Sequence, residues 1–233
     1  MPPIVKSVCQ FYRSSIGKKI LVALTGAAMV MFLLIHLLGN LLVFGGPDAL
    51  NAYAKKLHDL GGLLWVGRLG LLACVIVHVV VTIQLTAANK LARPQAYGVD
   101  STRKASRSSR TMILSGLTIL AFLIYHLAHY TWGVANNYYE PGNARYTLPD
   151  GSHNVYNMVV DGFGWAPASL FYIVAMGLLF MHLGHGIASI FQTLGLSSQK
   201  SRPVIELAGK GIALVLFAGN ALMPLSILFG FVK

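Results

Sequence analysis

The sequence has 233 residues, of which 55% are hydrophobic and only 11% are charged, and its mean hydropathy is +0.65. This composition excludes an ordinary soluble domain and predicts an integral membrane protein. The formal net charge of +11 would suit a nucleic-acid-binding protein, but in so apolar a chain we interpret it as a signal of membrane topology and expect no nucleic-acid partner.

Five apolar segments follow one another, and each exceeds the ~20 residues that an α-helix needs to cross ~30 Å of hydrocarbon. Helices are expected because lipid offers the backbone no hydrogen-bond partners. The first segment is too long for a cleavable signal peptide and has no small-residue processing site, so we expect it to be a retained span. The sequence thus predicts an all-α, five-helix transmembrane bundle, a single domain over residues 1–233. The predicted helices are about 20–44, 63–89, 111–134, 167–194 and 204–231.

The basic residues are distributed unevenly between the segments. Most of the 18 Lys and Arg residues lie before the first segment, between the second and third, and between the fourth and fifth. The positive-inside rule therefore places the amino terminus and the Ser/Arg-rich linker 101–110 in the cytoplasm, and the carboxyl terminus outside. The long 135–166 connection is expected to be an outer loop. The pattern predicts a multi-pass protein of the cytoplasmic membrane, in contact with membrane lipids.

Each of the first four predicted helices contains a histidine slightly past its midpoint: His36, His78, His126 and His182. Ionisable side chains at membrane depth are rare and usually face the interior of a bundle for a functional reason. Since successive helices run in opposite directions, the first and third histidines should lie toward the outer leaflet and the other two toward the inner one. The segment midpoints place the two pairs roughly 10 Å apart along the membrane normal.

Paired imidazoles at two depths are typical of axial ligands for haem iron in the core of a helix bundle. We therefore predict two haems, with the iron bound by His36 and His126 in the outer site and by His78 and His182 in the inner site. A c-type haem is excluded because the sequence has no C-x-x-C-H motif. The second ring nitrogen of each ligand should donate a hydrogen bond to a carbonyl or a hydroxyl.

A weak internal repeat accompanies two of the histidines. Thr25 and Gly26 precede the first histidine by eleven and ten residues, and Ser115 and Gly116 precede the third by the same spacing. Eleven residues are close to three helical turns, so these positions share the histidine face, about 16 Å nearer the cytoplasm. Small side chains there would make room for the inner porphyrin. Alternatively, they only allow close contact between helices, which is common in membranes.

Further polar residues lie near the candidate ligands. His129 and His185 follow His126 and His182 by three positions. Either could replace its neighbour as a ligand, or bond a haem propionate, a quinone or a carbonyl. Arg68 could pair with an outer propionate or extend toward the membrane interface.

Several polar residues lie at or beyond the ends of the apolar segments. His58 and Asp59, just before the second predicted helix, suit proton exchange with a quinone on the outer side, although a solvated loop is the simpler explanation. His153 is interpreted as a surface residue. Asn220 and Pro224 in the last segment are expected to mark an interhelical hydrogen bond and a kink.

The histidines lie in four motifs: L-I-H-L-L-G-N around His36, V-I-V-H-V around His78, I-Y-H-L around His126 and F-M-H-L-G-H-G around His182. Over nearly the whole chain, this pattern resembles the two-haem, five-helix cytochrome b subunit of succinate:menaquinone oxidoreductases and fumarate reductases. The resemblance implies a membrane anchor with two bis-histidine b haems. It implies the same ligand pairs as the topology, with His36 and His126 on the outer haem.

The resemblance also implies partners and a substrate. Such an anchor binds an iron–sulfur subunit at its cytoplasmic face and, beyond it, a flavoprotein subunit. It passes electrons from succinate to menaquinone, or in the reverse direction to fumarate, and has no catalytic residue for bond chemistry of its own. Some members use an acidic residue before the second helix at an outer quinone site, where this chain has His58 and Asp59.

Two other classes of protein are alternatives. A cytochrome b anchor of a nitrate reductase, formate dehydrogenase or hydrogenase would also bind haem, but such anchors distribute histidines differently over their helices. A transporter with a histidine proton relay would need discontinuous helices and acidic partners at the midplane. No Asp or Glu lies in the middle of these apolar segments, which argues against the transporter.

Overall fold

The computed structural model describes residues 3–92 and 111–233, and the predicted linker 101–110 lies outside them. The described residues form α-helices joined by turns, with no β-strand. Five helices, α2, α4, α5, α7 and α8 as defined below, are long and apolar enough to cross a membrane, so the prediction of an all-helical chain with five membrane-length helices is confirmed. The helices are α1 (Pro3–Arg13), α2 (Ser15–Asn40), α3 (Gly46–Asp59), α4 (Gly62–Leu91), α5 (Met112–Tyr130), α6 (Val155–Gly164), α7 (Ala166–Thr193) and α8 (Arg202–Leu228).

The ends of the spans differ from the predicted ones by a few residues because caps and glycines determine them. α2 begins at Ser15, where the Ser14 side chain accepts a hydrogen bond from the backbone N–H of Gly17 (2.9 Å). It ends at Asn40, and a 3₁₀ helix, Leu41–Gly45, leads into α3. Gly46 allows this change of direction because its φ of +85° is a conformation that glycine adopts without strain.

The sequence pattern did not predict α1, α3 and α6, because each is short and only partly apolar. α3 has Asp48 in its first turn and Lys56 and His58 in its last turn, an arrangement that complements the helix dipole. α6 lies within the 135–166 connection that was expected to be a loop. The Asn154 side chain caps it by accepting a hydrogen bond from the backbone N–H of Asn157 (3.1 Å).

Four of the spans form a ring. α2 packs against α4 and α7, and α5 packs against α7 and, more lightly, against α4. α2 therefore lies diagonally opposite α5, and α4 lies diagonally opposite α7. α8 packs along α7 and also contacts α2. The apolar core between these helices consists of Leu37, Leu183, Ile187, Ala213 and Leu216.

The last span contains two residues singled out in the sequence. Pro224 lies inside α8 and is buried, and its ring leaves the backbone without an N–H at that position. Asn220 donates from Nδ2 to the backbone oxygen of Leu216 (2.8 Å), one turn earlier in the same helix. The expectation of an interhelical hydrogen bond at Asn220 is therefore wrong.

Contacts between helices define two ends of the bundle. The Tyr12 hydroxyl donates to Gln84 Oε1 (3.1 Å), so the start of α2 lies beside the end of α4. α5 and α8 also begin, and α7 also ends, on this side. We call this side the basic end and the opposite side, formed by α3, α6 and residues 131–154, the loop end. The basic end is named for Lys18, Lys19, Lys90, Lys200 and Arg202.

The loop end is a folded cap. Tyr138, Tyr146 and Met158 form an apolar cluster. Arg145 forms an ion pair with Asp161, to which the Tyr146 hydroxyl also donates a hydrogen bond (2.9 Å). Burial raises the pKa of Tyr138 to about 12. The connection between the third and fourth membrane-length helices is thus held by its own apolar and ionic contacts.

Candidate functional site

The four membrane-embedded histidines form two pairs on diagonally opposed helices. His36 of α2 and His126 of α5 have ring centroids 5.9 Å apart and ring planes at 85°. Two imidazoles bound to one metal ion by bonds of about 2 Å place their ring centroids about 6 Å apart. We call His36 and His126 the loop-end pair, and their separation is compatible with a shared metal ion.

His78 of α4 and His182 of α7 form the second pair, which we call the basic-end pair. The two side chains are neighbours inside the ring of helices. Each also has a hydroxyl partner on a neighbouring helix. Thr25 Oγ1 of α2 lies 3.2 Å from His78 Nδ1, and Ser115 Oγ of α5 lies 3.1 Å from His182 Nδ1.

The hydroxyl hydrogens determine the direction of these two bonds. Thr25 Oγ1 donates to the backbone oxygen of Leu21 (2.7 Å), and Ser115 Oγ donates to that of Met112 (3.1 Å). Because each hydroxyl has one hydrogen and a carbonyl of its own helix to receive it, its oxygen can accept from the histidine Nδ1–H. A neutral imidazole protonated at Nδ1 has its free lone pair on Nε2. The Nε2 atoms of both histidines are therefore available to bind a metal.

The imidazoles of the basic-end pair lie against Gly26 and Gly116. A Cβ at Gly26 would lie 3.4 Å from Cε1 of His78, and a Cβ at Gly116 would lie 3.4 Å from Cε1 of His182. A side chain larger than a methyl group would therefore enter the space around the imidazoles. In the structure, Thr25 and Gly26 therefore both lie beside His78, and Ser115 and Gly116 both lie beside His182.

The same helices give the distance between the two levels. Eleven residues separate Thr25, beside the basic-end pair, from His36, and eleven separate Ser115 from His126. At ~1.5 Å per residue, the two levels lie about 16 Å apart along the bundle. The expected separation of roughly 10 Å, taken from the segment midpoints, was too small because contacts between side chains, and not segment ends, determine each level.

The loop-end pair has a polar neighbour that the sequence analysis missed. The Tyr172 hydroxyl of α7 lies 3.2 Å from Nδ1 of His126 and 3.3 Å from Nδ1 of His129. Tyr172 and His129 are both buried. The sequence does contain one signal for Tyr172, which lies ten residues before His182. Gly26 and Gly116 precede His36 and His126 by the same number of residues.

A buried hydroxyl without a partner lies next to the loop-end pair. The ring centroids of Tyr130 and His126 are 6.0 Å apart, and the Tyr130 hydroxyl has no hydrogen-bond partner among the described residues. A Cβ at Gly162 of α6 would clash with this hydroxyl. An unpartnered buried hydroxyl is costly, and the close approach of this one to α6 requires a glycine at position 162.

On α4, a glycine lies at the level of the loop-end pair. Gly67 precedes His78 by eleven residues and therefore shares its helix face. A Cβ at Gly67 or at Gly70 would have no atom of the described chain within 4 Å. Each helix of the ring thus has a histidine at one level and a small or hydroxyl-bearing residue at the other.

Three predicted residues lie apart from both pairs. Arg68 is exposed on α4, with its guanidinium over the Trp65 ring (5.2 Å to the centroid). His58 and Asp59 are exposed in the last turn of α3. The structure therefore places these residues at the surface of the loop end.

The additional histidines have partners of their own. His185 lies one turn after His182, and its Nε2 is 3.2 Å from the Ser189 hydroxyl. His153 is half-buried rather than fully exposed, and its ring stacks on Tyr139 (centroids 4.6 Å apart). Burial lowers the pKa of His153.

No family model, curated protein or solved structure matches the chain. The fold and the site therefore define its class by themselves: a multi-pass helical membrane protein with two histidine pairs at two levels. In the part of the chain that the structure describes, no group of three or more His, Cys, Asp and Glu side chains could hold a metal ion. Each histidine pair thus offers two protein ligands.

Proposed function

We propose that the chain is the haem-binding membrane anchor subunit of a succinate:menaquinone oxidoreductase. The observation that supports this most directly is the arrangement of four histidines in two diagonal pairs, about 16 Å apart along the bundle. Two axial imidazoles per iron are typical of electron-transfer haems inside helix bundles. One b haem would bind to His36 and His126 at the loop end, and the other to His78 and His182 at the basic end.

The residues present fit this group. Two protein ligands at each level match an iron whose other ligands come from a porphyrin. Gly26 and Gly116 have no side chain between the helix backbone and the basic-end imidazoles, and Gly67 has no described atom within 4 Å of its Cβ position.

The protein's own contribution is binding and orientation. When bound, each haem supplies one-electron transfer at its iron. Thr25 and Ser115 lie where they would favour the tautomer of His78 and His182 whose Nε2 can bind a metal. The apolar spans keep water away from the ligands, so burial and hydrogen bonding set the potential of each site.

The distribution of charge suggests the orientation and the partners. We place the basic end and the amino terminus in the cytoplasm and the carboxyl terminus outside the cytoplasmic membrane. The cationic basic end would bind the iron–sulfur subunit, which binds the flavoprotein subunit. Menaquinone would react at the loop end, where His58 and Asp59 are exposed, and membrane lipids would cover the apolar outer faces. Operating in reverse, the same assembly would be a fumarate reductase.

The proposal is tested by measuring haem in the protein purified from membranes together with its bound subunits. We expect two b haems per chain in a pyridine haemochrome assay, and reduction of both by succinate. His36→Leu should remove one haem and keep the other, and His78→Leu should remove the other one. His153→Leu, a change at a half-buried histidine outside both pairs, is the matched control and should keep both haems.

Two results would overturn the proposal. One is a purified protein without haem, and the other is retention of both haems in His36→Leu and His78→Leu. If both haems are present but succinate reduces neither, the two haem sites stand and the assignment to a succinate-linked complex fails.

A further inference from the structure

The Tyr172 hydroxyl is shared between two histidines of α5. It lies 3.2 Å from Nδ1 of His126 and 3.3 Å from Nδ1 of His129. We propose that Tyr172 is a positioning residue, which orients and polarises the imidazole of His126, and that His129 determines the direction of the Tyr172 hydroxyl. This inference rests on the proposed function, because it takes His126 as an iron ligand.

The hydrogen bonds around Tyr172 have one consistent direction. If His126 binds iron through Nε2, its proton is on Nδ1 and is donated to the Tyr172 oxygen. The single hydroxyl hydrogen of Tyr172 is then donated to Nδ1 of His129. The proton of neutral His129 is consequently on Nε2. One chain of hydrogen bonds therefore runs from His126 through Tyr172 to His129.

The surroundings hold the Tyr172 ring in place. The ring makes edge-on contacts with Phe122 (centroids 5.0 Å apart) and Phe163 (4.9 Å). Only 6% of Tyr172 and 5% of His129 is exposed, so water has little access to the shared hydroxyl. Removal of the hydroxyl would therefore leave Nδ1 of both histidines without this partner, and water could not easily replace it.

The two pairs differ in their hydroxyl partners. At the basic end, Thr25 and Ser115 each contact one histidine. Each of these hydroxyls also donates a hydrogen bond to a backbone carbonyl of its own helix. At the loop end, Tyr172 serves His126, whereas the ring of His36 stacks on a phenylalanine one turn earlier and has no hydrogen bond within the described ranges. Tyr172 should therefore act on one ligand of one haem only.

The direction of the hydrogen bond between His126 and Tyr172 predicts how Tyr172 affects the reduction potential of the loop-end haem. A hydrogen bond accepted from Nδ1–H makes the imidazole a stronger electron donor and favours the oxidised metal. Tyr172→Phe removes the acceptor but keeps the ring. We expect the loop-end haem to become easier to reduce, by about tenfold in its equilibrium constant, which is about 59 mV for one electron.

The test is an anaerobic redox titration of the purified complex, with EPR spectra of the low-spin haem signals. The loop-end haem is identified as the one that His36→Leu removes. Tyr172→Phe should keep two haems per chain, and should raise the potential and shift the EPR signal of that haem only. Thr25→Val, a change beside the basic-end pair, is the matched control and should leave the potential and the EPR signal of the loop-end haem as in the wild type. His129→Leu keeps the Tyr172 hydroxyl beside His126, so it should cause a smaller shift at the loop-end haem.

Distinct results overturn the inference and the proposed function. If Tyr172→Phe keeps two haems per chain and changes neither the potential nor the EPR signal, the role of Tyr172 is refuted and the proposed function stays intact. Equal shifts of both haems would have the same meaning. If Tyr172→Phe does not assemble, an unchanged loop-end haem in His129→Leu refutes the inference. Loss of a haem in His129→Leu but not in His126→Leu would show that His129 is the ligand. A wild-type complex without haem would instead refute the proposed function.

Discussion

The Thr25 hydroxyl oxygen lies 3.2 Å from Nδ1 of His78 and joins α2 to α4 at the level of the basic-end pair. When the hydroxyl hydrogen of Thr25 goes to the carbonyl oxygen of Leu21, the Thr25 oxygen can accept from Nδ1–H of His78. The partner that favours this tautomer of His78 lies 53 positions earlier in the chain. A threonine on one span thereby leaves Nε2 of a histidine on the next span free to bind a metal.

Thr25→Val keeps the shape of the side chain and removes the hydroxyl next to His78, which also has a hydrogen bond to the backbone of Val22. We expect the free energy of unfolding to fall by about 0.5–1.5 kcal/mol because one hydrogen bond is lost, and we expect weaker haem binding at the basic end. Thr86→Val is the control, since exposed Thr86 donates only to Thr82 of its own helix (2.8 Å). Thermal unfolding in detergent and haem content measure the two effects. Equal behaviour of the two variants would contradict the role of Thr25.

Gly26→Leu tests the space beside the basic-end pair. Leucine favours a helix by roughly 0.8–1 kcal/mol over glycine, so α2 itself should tolerate the change. Its side chain would extend toward His78, whose Cε1 would lie 3.4 Å from the new Cβ, and we expect the haem content to fall from two to one per chain. Gly211→Leu on α8, where a Cβ meets no described atom within 4 Å, should keep both. Two haems in Gly26→Leu would mean that this space is not used by a cofactor.

The spans could be predicted from the sequence because each is a long, uniformly apolar segment. The helices of the loop end could not. α3 has 14 residues and α6 has 10, and both mix polar and apolar residues without a continuous apolar segment. α6 is stabilised by contacts with distant residues, such as the hydrogen bond from the backbone N–H of Tyr156 to Asn51 Oδ1 (3.0 Å). Composition along the chain does not show such contacts.

The site was predictable to a similar extent. The histidines stand out because an imidazole is unusual in an apolar span, and the Thr-Gly and Ser-Gly pairs repeat with them. Tyr172 does not stand out, because it lies near the start of its span and tyrosines are common near the ends of membrane-spanning segments. Its role depends on the position of its hydroxyl relative to α5. This position results from the packing of two helices and cannot be predicted from the sequence periodicity of one helix.

The ion pair at the loop end predicts an acid-dependent stability. Hydrogen bonds from Arg145 lower the pKa of Asp161 below its usual range. A carboxyl whose pKa is lower in the folded state stabilises the fold above about pH 4, and this stabilisation disappears as the pH falls through the folded-state pKa. Because Arg145 is largely exposed, the effect should be no more than about 1 kcal/mol.

Asp161→Asn removes this dependence. The unfolding midpoint of the wild type in detergent should exceed that of Asp161→Asn at pH 7, and the difference should shrink as the pH is lowered below 4. The comparison between two variants at each pH cancels the titration of groups that they share. A difference that is constant from pH 7 to pH 2 would show that the carboxylate charge does not stabilise the loop end.

Asn51 connects α3 to α6 and gives a last test of the loop end. Its side chain is buried, its Nδ2 donates to Asn154 Oδ1 (3.1 Å), and its Oδ1 accepts from the backbone N–H of Tyr156 (3.0 Å). Asn51→Ala should lower the free energy of unfolding by about 1–3 kcal/mol, because a buried donor and acceptor lose their partners together. It should also speed proteolysis within residues 131–154. Asn137→Ala, at an exposed position of that connection, should change neither quantity. If the two variants are equally stable, the contact between α3 and α6 does not hold the cap in place.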